Sequence, residues 1–486
     1  MVNFRIIYKI IGSLLFLEAF FMGWCLVIGL VHHEDDVLAF LVSMLLTFGC
    51  GFLSLYFGRD AENALSRRDA YVVVTAAWVI FSFFGMFPFL IHGSILNFTD
   101  AYFETMSGFT TTGASIIDDV ERLPHAILFW RSLMQWIGGL GIVFFTIAIL
   151  PSLVGGSVKV FAAEATGPIK AKMHPRLTTT AKWIWTIYLL LTIACGFSYW
   201  ASGMNWFEAT NYSMTTTATG GFAIHNDSTA HFQSPTIDYI SILFQFLSGI
   251  NFTLLYMSLF KLRVGALLKS SEFRLYIAVV AGSTCSIMYL LLTHLGYTLE
   301  HAFRSALFHT VSFITTTGAF LGDDLGQWPH LTWVILGLVM YLGACAGSTS
   351  GGFKCIRGVM LLQVVRNNFR QILHPNAVLP VRINGQSVAP SKLLSVFAFF
   401  VLTILMVLFT ATAMIFSGVD NTNAAVIALS CVSNVGPSLT NGVGPELSWS
   451  VLPTATKWLL CLLMLMGRLE IMTVLVLFTR AFWKEN

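Results

Sequence analysis

The sequence predicts an all-α polytopic membrane protein, built from four pseudo-symmetric helix–re-entrant loop–helix units plus an N-terminal helical hairpin. Three observations carry this. Of 486 residues, 56% are hydrophobic and only 10% charged, where a soluble domain has about a quarter charged. Long uncharged stretches recur, and roughly 20 apolar residues in a helix cross a hydrocarbon core of about 30 Å. A short Thr- or Asn-rich run ending in glycine also returns four times between such stretches.

The elements follow in order. Apolar stretches near 10–31 and 37–57 have no such run between them and form an appended hairpin (1–69), joined to the rest by the charged stretch Arg59 to Asp69. Arg5 and Lys9 before an apolar run suggest a signal peptide. The run is too long for one and lacks a small-residue cleavage site, so it is expected to be a membrane helix. Unit one (70–176) holds stretches 71–92 and 127–150, and unit two (177–269) holds 181–201 and 237–260. Unit three (270–390) holds 275–296 and 331–346, followed by a basic stretch, 355–390. Unit four (391–486) holds 391–417 and 453–480.

Charge distribution orients the chain. With the N-terminus inside, 22 of the 27 Lys and Arg fall on one side, among them Arg67, Arg68, Lys170, Lys172, Arg366 and Arg370. Basic loops stay cytoplasmic, so both termini are expected there. The other side carries 16 of the 24 acids, including Glu34, Asp118, Asp119, Asp323 and Asp324. An acidic face raises local cation concentration, although any one such pair also simply solvates a loop. The eight Cys form no Cys-x-x-Cys and sit mostly in apolar segments, so neither a disulfide framework nor a Cys metal site is expected.

The repeat is the sharpest signal. The four runs read FTTTGAS (109–115), TTATGGF (216–222), ITTTGAF (314–320) and SNVGPSL (433–439). With Gly113, Gly220, Gly318 and Gly436 taken as equivalent, Ala101, Ala306 and Ala424 stand twelve positions before, and Ser107, Ser312 and Ser430 six before. The second run needs a one-residue shift to bring in Ala209. After the glycine, Asp118–Asp119 matches Asp323–Asp324, and Pro124 matches Pro329.

Irregular backbone at membrane depth is tolerated only where protein buries it or water lines it. Four related loops can converge on one axis, where rings of carbonyl oxygens replace an ion's hydration shell. Glycine allows positive φ and close approach, threonine adds a hydroxyl, and each preceding short helix aims its negative end at a cation. One Thr-Thr-Thr-Gly alone is more often a cap or turn. Four copies, each between spanning segments, argue for pore loops.

On these motifs the chain resembles the Trk/Ktr/HKT superfamily of potassium transporters over nearly its whole length. The N-terminal hairpin makes it most similar to the Trk-type membrane subunits. The resemblance implies potassium uptake across the inner membrane, with potassium as the substrate ion and no covalent cofactor. It puts the potassium-binding filter at Thr111, Thr112 and Gly113, at Ala218, Thr219 and Gly220, at Thr316, Thr317 and Gly318, and at Asn434, Val435 and Gly436. No metal beyond that potassium is implied. In plant relatives a serine at the first filter glycine goes with sodium selectivity; Gly113 here favours potassium. The resemblance also implies a homodimer and a cytoplasmic, TrkA-like ring of nucleotide-binding regulatory subunits. No nucleotide-binding motif is visible in this chain, so any ATP or NAD control must come from such a partner. The basic loops 157–182 and 354–392 are plausible docking surfaces, though charge bias alone accounts for them. Membrane lipid is the remaining partner; nucleic acid is not one.

Two further features stand out. The stretch 331–362 is interrupted by GACAGSTSGGFK (343–354), and each Gly lowers helix propensity by about 1 kcal/mol. Small residues also serve as packing faces. Yet Gly343, Gly347, Gly351 and Gly352 occur here with Ser348, Thr349 and Ser350, too polar and flexible for packing alone. The family places its intramembrane gating loop here, so 343–353 is expected to obstruct the path and move to open it. Arg468 and Glu470 lie inside the last stretch, where a charge costs at least about 2.5–3.5 kcal/mol and so faces a cavity or a partner. Two residues apart, they point to different faces. Arg468 either pairs with another helix, for instance through Glu18, or lines the pore as an electrostatic barrier; Trk-type proteins carry an arginine there.

An alternative with the same fold is a proton- or sodium-coupled potassium symporter. Carriers place ionisable residues at the midplane, often in inverted halves, whereas these units run in one sense and the membrane carboxylates found are Glu18 and Glu470. No His-Glu-x-x-His, Gly-x-Ser-x-Gly or phosphate-binding loop is present, so an enzyme is not expected.

Overall fold

The computed structural model describes residues 2–61, 65–142, 177–437 and 449–484. The basic stretch from Lys159 to Arg176, the end of the 127–150 stretch and the far end of the fourth run (438–439) lie outside these residues.

Among the described residues the architecture is helical, with one two-residue hairpin ladder at Arg382–Ile383 and Gln386–Ser387. Six helices are long and apolar enough to cross a membrane: Phe4–His32, Val37–Gly58, Arg67–His92, Ala181–Ala201, Ser271–His294 and Pro390–Phe416. The first two pair as a hairpin. Gly12 and Gly51 allow this, because a Cβ on Gly12 would stand 2.7 Å from the Gly51 carbonyl oxygen. The hairpin packs on the first helix of unit one, where Asn3 N–H donates to Asp69 Oδ1 at 2.9 Å.

Each unit then repeats one pattern. A long helix is followed by a short one, at Phe98–Phe109, Trp206–Ala218, Leu299–Ile314 and Asn421–Ser433. A loop leads into a second helix, at His125–Leu140, Pro235–Ser248, His330–Leu342 and Thr454–Leu469. Side-chain caps start all four short helices: Asn97, Asn205, Thr298 and Asp420 each accept a backbone N–H of the first turn, satisfying donors that a helix start leaves orphaned.

The second helices differ from the expectation of spans at 237–260 and 453–480. They stop after 13 to 16 residues. The chain bends by 105° between Ser248 and Phe252 and by 115° between Leu469 and Ile471. In the second unit, Asn251 starts the next helix by accepting from Thr253 N–H at 2.8 Å. In the fourth, Glu470 takes a φ of 65°, a conformation that a non-glycine residue adopts only when its surroundings hold it there. In the third, helix ends at Leu342 and resumes at Cys355, the interval that its Gly and Ser content singled out.

Candidate functional site

The four runs end their short helices in one geometry. Thr111, Thr219, Thr316 and Asn434 all take left-handed φ, between 54° and 59°. The next residue in each loop donates its N–H back to the helix: Thr112 to Ser107 O at 2.9 Å, Gly220 to Thr215 O at 3.0 Å, Thr317 to Ser312 O at 2.8 Å, and Val435 to Ser430 O at 3.0 Å. This six-to-one closure with a left-handed residue inside it is the Schellman arrangement. Left-handed φ is an outlier for β-branched Thr, and here it recurs at three of the four loops.

Two residues after each left-handed residue stands a glycine of positive φ: Gly113 (83°), Gly221 (78°), Gly318 (72°) and Gly436 (98°). The second loop therefore differs by one residue from the register read off the sequence. Its equivalent glycine is Gly221, with Thr219 and Gly220 matching Thr111 and Thr112, while Ala218 is the last helical residue. In this register Ala209 falls twelve positions before the glycine and Thr215 six before, so the second repeat needs no shift.

These glycines meet. A Cβ on Gly113 would overlap the carbonyl oxygen of Gly220, and one on Gly221 that of Thr317. One on Gly318 would overlap Val435 O, and one on Gly436 would overlap Thr112 O. Each loop thus presses its glycine on the carbonyl just before the glycine of the next loop, and the fourth closes on the first. Four loops arranged head to tail in a ring surround a common axis. The short helices end at this ring, so their negative ends converge on it.

Side chains hold the loops in shape. Thr110 and Thr112 hydroxyls lie 2.8 Å apart, as do those of Thr315 and Thr317. Asn434 Nδ2 donates to Thr112 Oγ1 at 3.0 Å, linking the fourth loop to the first. Ser312 and Ser430 donate to Ala319 O and Pro437 O, closing their loops on the far side.

On one side of the ring opens a cavity of about 530 Å³ that touches all four loops, at Gly113, Gly221, Gly318 and Pro437, with Asp118, Asp227 and Asp323 in its wall. On the opposite side lies the interrupted segment 343–354. Gly351 N–H donates to Thr316 Oγ1 at 2.7 Å, and the Thr349 hydroxyl is 3.2 Å from that of Thr219. Gly351 also lies so close to Ser433 that a Cβ would overlap its carbonyl. The segment thus contacts loops two, three and four at their left-handed turns. Ser348 and Ser350 hydroxyls pair at 2.9 Å, while Gly343, Gly347 and Gly352 supply its positive-φ turns.

Arg468 ties this segment to two other units. Its guanidinium donates to Thr349 O at 2.8 Å and to Gly138 O and Gly139 O at 2.6 Å each. Glu470 instead meets Arg357 at 2.6 Å. Glu18 is no partner of Arg468: among the described residues its buried carboxylate oxygens have no hydrogen-bond partner.

Residues 39–485 match the family model TrkH, a cation transport protein. The chain belongs to the TrkH family. It is 36% identical to the Trk system potassium uptake protein TrkH of Halomonas elongata, over 99% of this chain and 100% of that one. It is equally similar to TrkH of Escherichia coli K12, with the same coverage. TrkG of Escherichia coli K12 is 33% identical over 99% of both chains. The crystal structure of the potassium transporter TrkH from Vibrio parahaemolyticus matches with a TM-score of 0.89 at 34% identity, covering 99% of this chain and 100% of that one. The TrkH family is one of transport proteins rather than enzymes, and with its long apolar helices this member is a multi-pass membrane protein.

Several side chains around the ring of this TrkH-family chain were not singled out from the sequence. Gln135 clamps the second loop, donating to Gly220 O at 2.7 Å and accepting from Phe222 N–H at 3.0 Å. Arg131 and Glu104, 2% and 0% exposed, pair at 2.9 Å. Arg131 further donates to Ala223 O and Ser115 Oγ, and Glu104 accepts from Ile116 N–H. The pair thereby fixes the backbone just beyond Gly113 and Gly221. Glu272 accepts the N–H groups of Ala346 and Ile356 at the two ends of the interrupted segment, and buried Lys354 donates to Ser350 O. For Glu104, Arg131, Glu272 and Lys354 the signal in the sequence is a charged residue within or beside an apolar stretch; Gln135 carries no such signal.

Proposed function

We propose that this chain takes up potassium across a cell membrane through the four-loop ring, with backbone carbonyls of Thr111, Thr112, Gly113, Thr219, Gly220, Gly221, Thr316, Thr317, Gly318, Asn434, Val435 and Gly436 as the ion's ligands. The observation that carries the reading is the closed cycle of glycine-on-carbonyl contacts. Four equivalent backbone segments around one axis can exchange a hydration shell for carbonyl oxygens, and glycine at positive φ lets each loop come this close to its neighbour's carbonyl. Potassium is the ion that the relatives' names give them, and their similarity over the whole chain supports extending it here. The acidic cavity wall supports cation entry from that side. Basic residues on the opposite side support an inner-membrane topology with both termini cytoplasmic.

The segment 343–353 is the gate in this reading, with Arg468 holding it shut. Its contacts with three loops support that role, as does its position across from the cavity. A cytoplasmic nucleotide-binding regulator and a second copy of the chain complete the proposed assembly; the relatives' designation as parts of a Trk system supports the first.

Uptake by reconstituted vesicles, with potassium and sodium compared, tests the reading. Potassium should enter faster, and deletion of 347–350 should raise its basal flux. Equal rates for the two ions would remove the selectivity claim. Single-channel recording separates this pore from a proton- or sodium-coupled symporter, since a carrier cannot reach channel-like unitary currents.

A further inference from the structure

Beyond the ring, Glu121, His225 and His231 bring one carboxylate oxygen and two imidazole nitrogens within 4.8 Å of one another. Glu121 comes from the segment after the first loop, and the two histidines from the segment after the second. The imidazoles lie parallel, 3.5 Å apart, and His225 Nδ1 faces Glu121 Oε1 at 3.2 Å. The other nitrogen of His225 lies 3.5 Å from Glu208 Oε1, near it but without a hydrogen bond. Asn226 fixes the two segments to each other, donating to Asp119 Oδ1 and accepting from Val120 N–H, both at 2.9 Å. His225 also forms part of the wall of the 530 Å³ cavity over the ring.

We propose that Glu121, His225 and His231 bind a divalent transition-metal ion, and that the bound ion slows cation entry through the cavity. Two imidazoles and one carboxylate suit zinc, with water in the fourth position. Hard cations such as calcium or magnesium prefer all-oxygen sites. The donor atoms lie between two loops. The stacked rings hold their in-plane lone pairs parallel, so exposed His231 must turn out of the stack for its nitrogen to converge with those of His225 and Glu121 on one ion, at bonds of about 2.0–2.2 Å. Its two positive charges offset the acidic wall that concentrates cations at the ring. The effect on entry rests on the pore reading above; the binding itself does not.

Two measurements on the full chain test this. Calorimetric titration of zinc into the purified protein should give one site per chain. In His231→Ala the affinity should fall by at least the roughly 10–100-fold that loss of an outer-shell partner costs; Glu121→Gln should weaken it as well. Potassium uptake by reconstituted vesicles, with zinc present on both sides, should slow severalfold and recover on chelation. His231→Ala should take up potassium at the zinc-free rate whether or not zinc is added. Wild-type protein that binds no zinc, or a His231→Ala protein that binds it equally well, overturns the site. Binding with undiminished uptake overturns the effect on entry. A failure of the pore reading shows up separately, as absence of potassium uptake before any zinc is added.

Discussion

The backbone N–H of Gly351 donates to the hydroxyl of Thr316 at 2.7 Å, joining the interrupted third-unit segment to the left-handed turn of the third loop. Thr316→Val keeps the branched shape and removes the acceptor, leaving a buried N–H unsatisfied at a cost of about 1–3 kcal/mol. A displaced segment gains by that amount, a population shift of roughly 5–150-fold. Basal potassium flux should rise accordingly while the potassium-to-sodium ratio holds. A flux identical to wild type would separate this tie from gating.

Arg468→Ala removes donors from three backbone carbonyls, at Thr349, Gly138 and Gly139. Hydrogen bonds to a charged group are worth about 1.5–3 kcal/mol each. Even one such loss, expressed in the open population, corresponds to about tenfold or more in rate. Conductance through purified protein should increase by at least that factor. Reduced yield with unaltered conductance would mark Arg468 as a structural cross-link.

The register of the second loop is testable by paired substitutions. Gly221→Ala puts a Cβ on a residue at φ 78° and against the Thr317 carbonyl, costing roughly 1–2 kcal/mol for the conformation alone. Gly220→Ala meets the side chain of Gln135 instead, which can turn away and forgo its two hydrogen bonds. Discrimination against sodium should be lost more completely in Gly221→Ala. The reverse order would restore Gly220 as the equivalent glycine.

Glu104 and Arg131 should couple strongly in stability. Removing one member of a buried pair strands the other, at about 3–5 kcal/mol, so Arg131→Met and Glu104→Gln should each lower the thermal midpoint in detergent. The double variant should fall by less than the sum of the two. Additive losses would show that the charges act independently.

Much of this site is legible in the sequence because backbone chemistry restricts residue type. A loop position at positive φ that also presses on a neighbour's carbonyl accepts only glycine, so Gly113, Gly318 and Gly436 declare themselves at fixed offsets from Ala101, Ala306 and Ala424. In the second loop TGG offers two adjacent glycines, so the sequence alone leaves the register open by one residue; only Gly221 takes the left-handed φ. Gly343 to Gly352 broke a helix visibly, by composition. The bends at Asn251 and Glu470 did not, because they depend on remote groups: Asn251 Nδ2 donates to Ala346 O at 2.5 Å, and Glu470 meets Arg357. Glu104 and Arg131 stand 27 residues apart in sequence, on two helices whose contact no local pattern encodes.

Hydropathy and a fourfold spacing determined, with no coordinates, that this chain is a membrane protein of four related units, because the cost of exposing polar backbone to lipid acts on every residue of a span. Which carbonyl each glycine touches, which arginine finds a carboxylate and which finds carbonyls, and where the second helices turn were decided only in three dimensions. Those outcomes depend on contacts between separate segments, from 27 residues apart for Glu104 and Arg131 to 330 for Gly138 and Arg468, and such contacts leave no periodic trace along the chain.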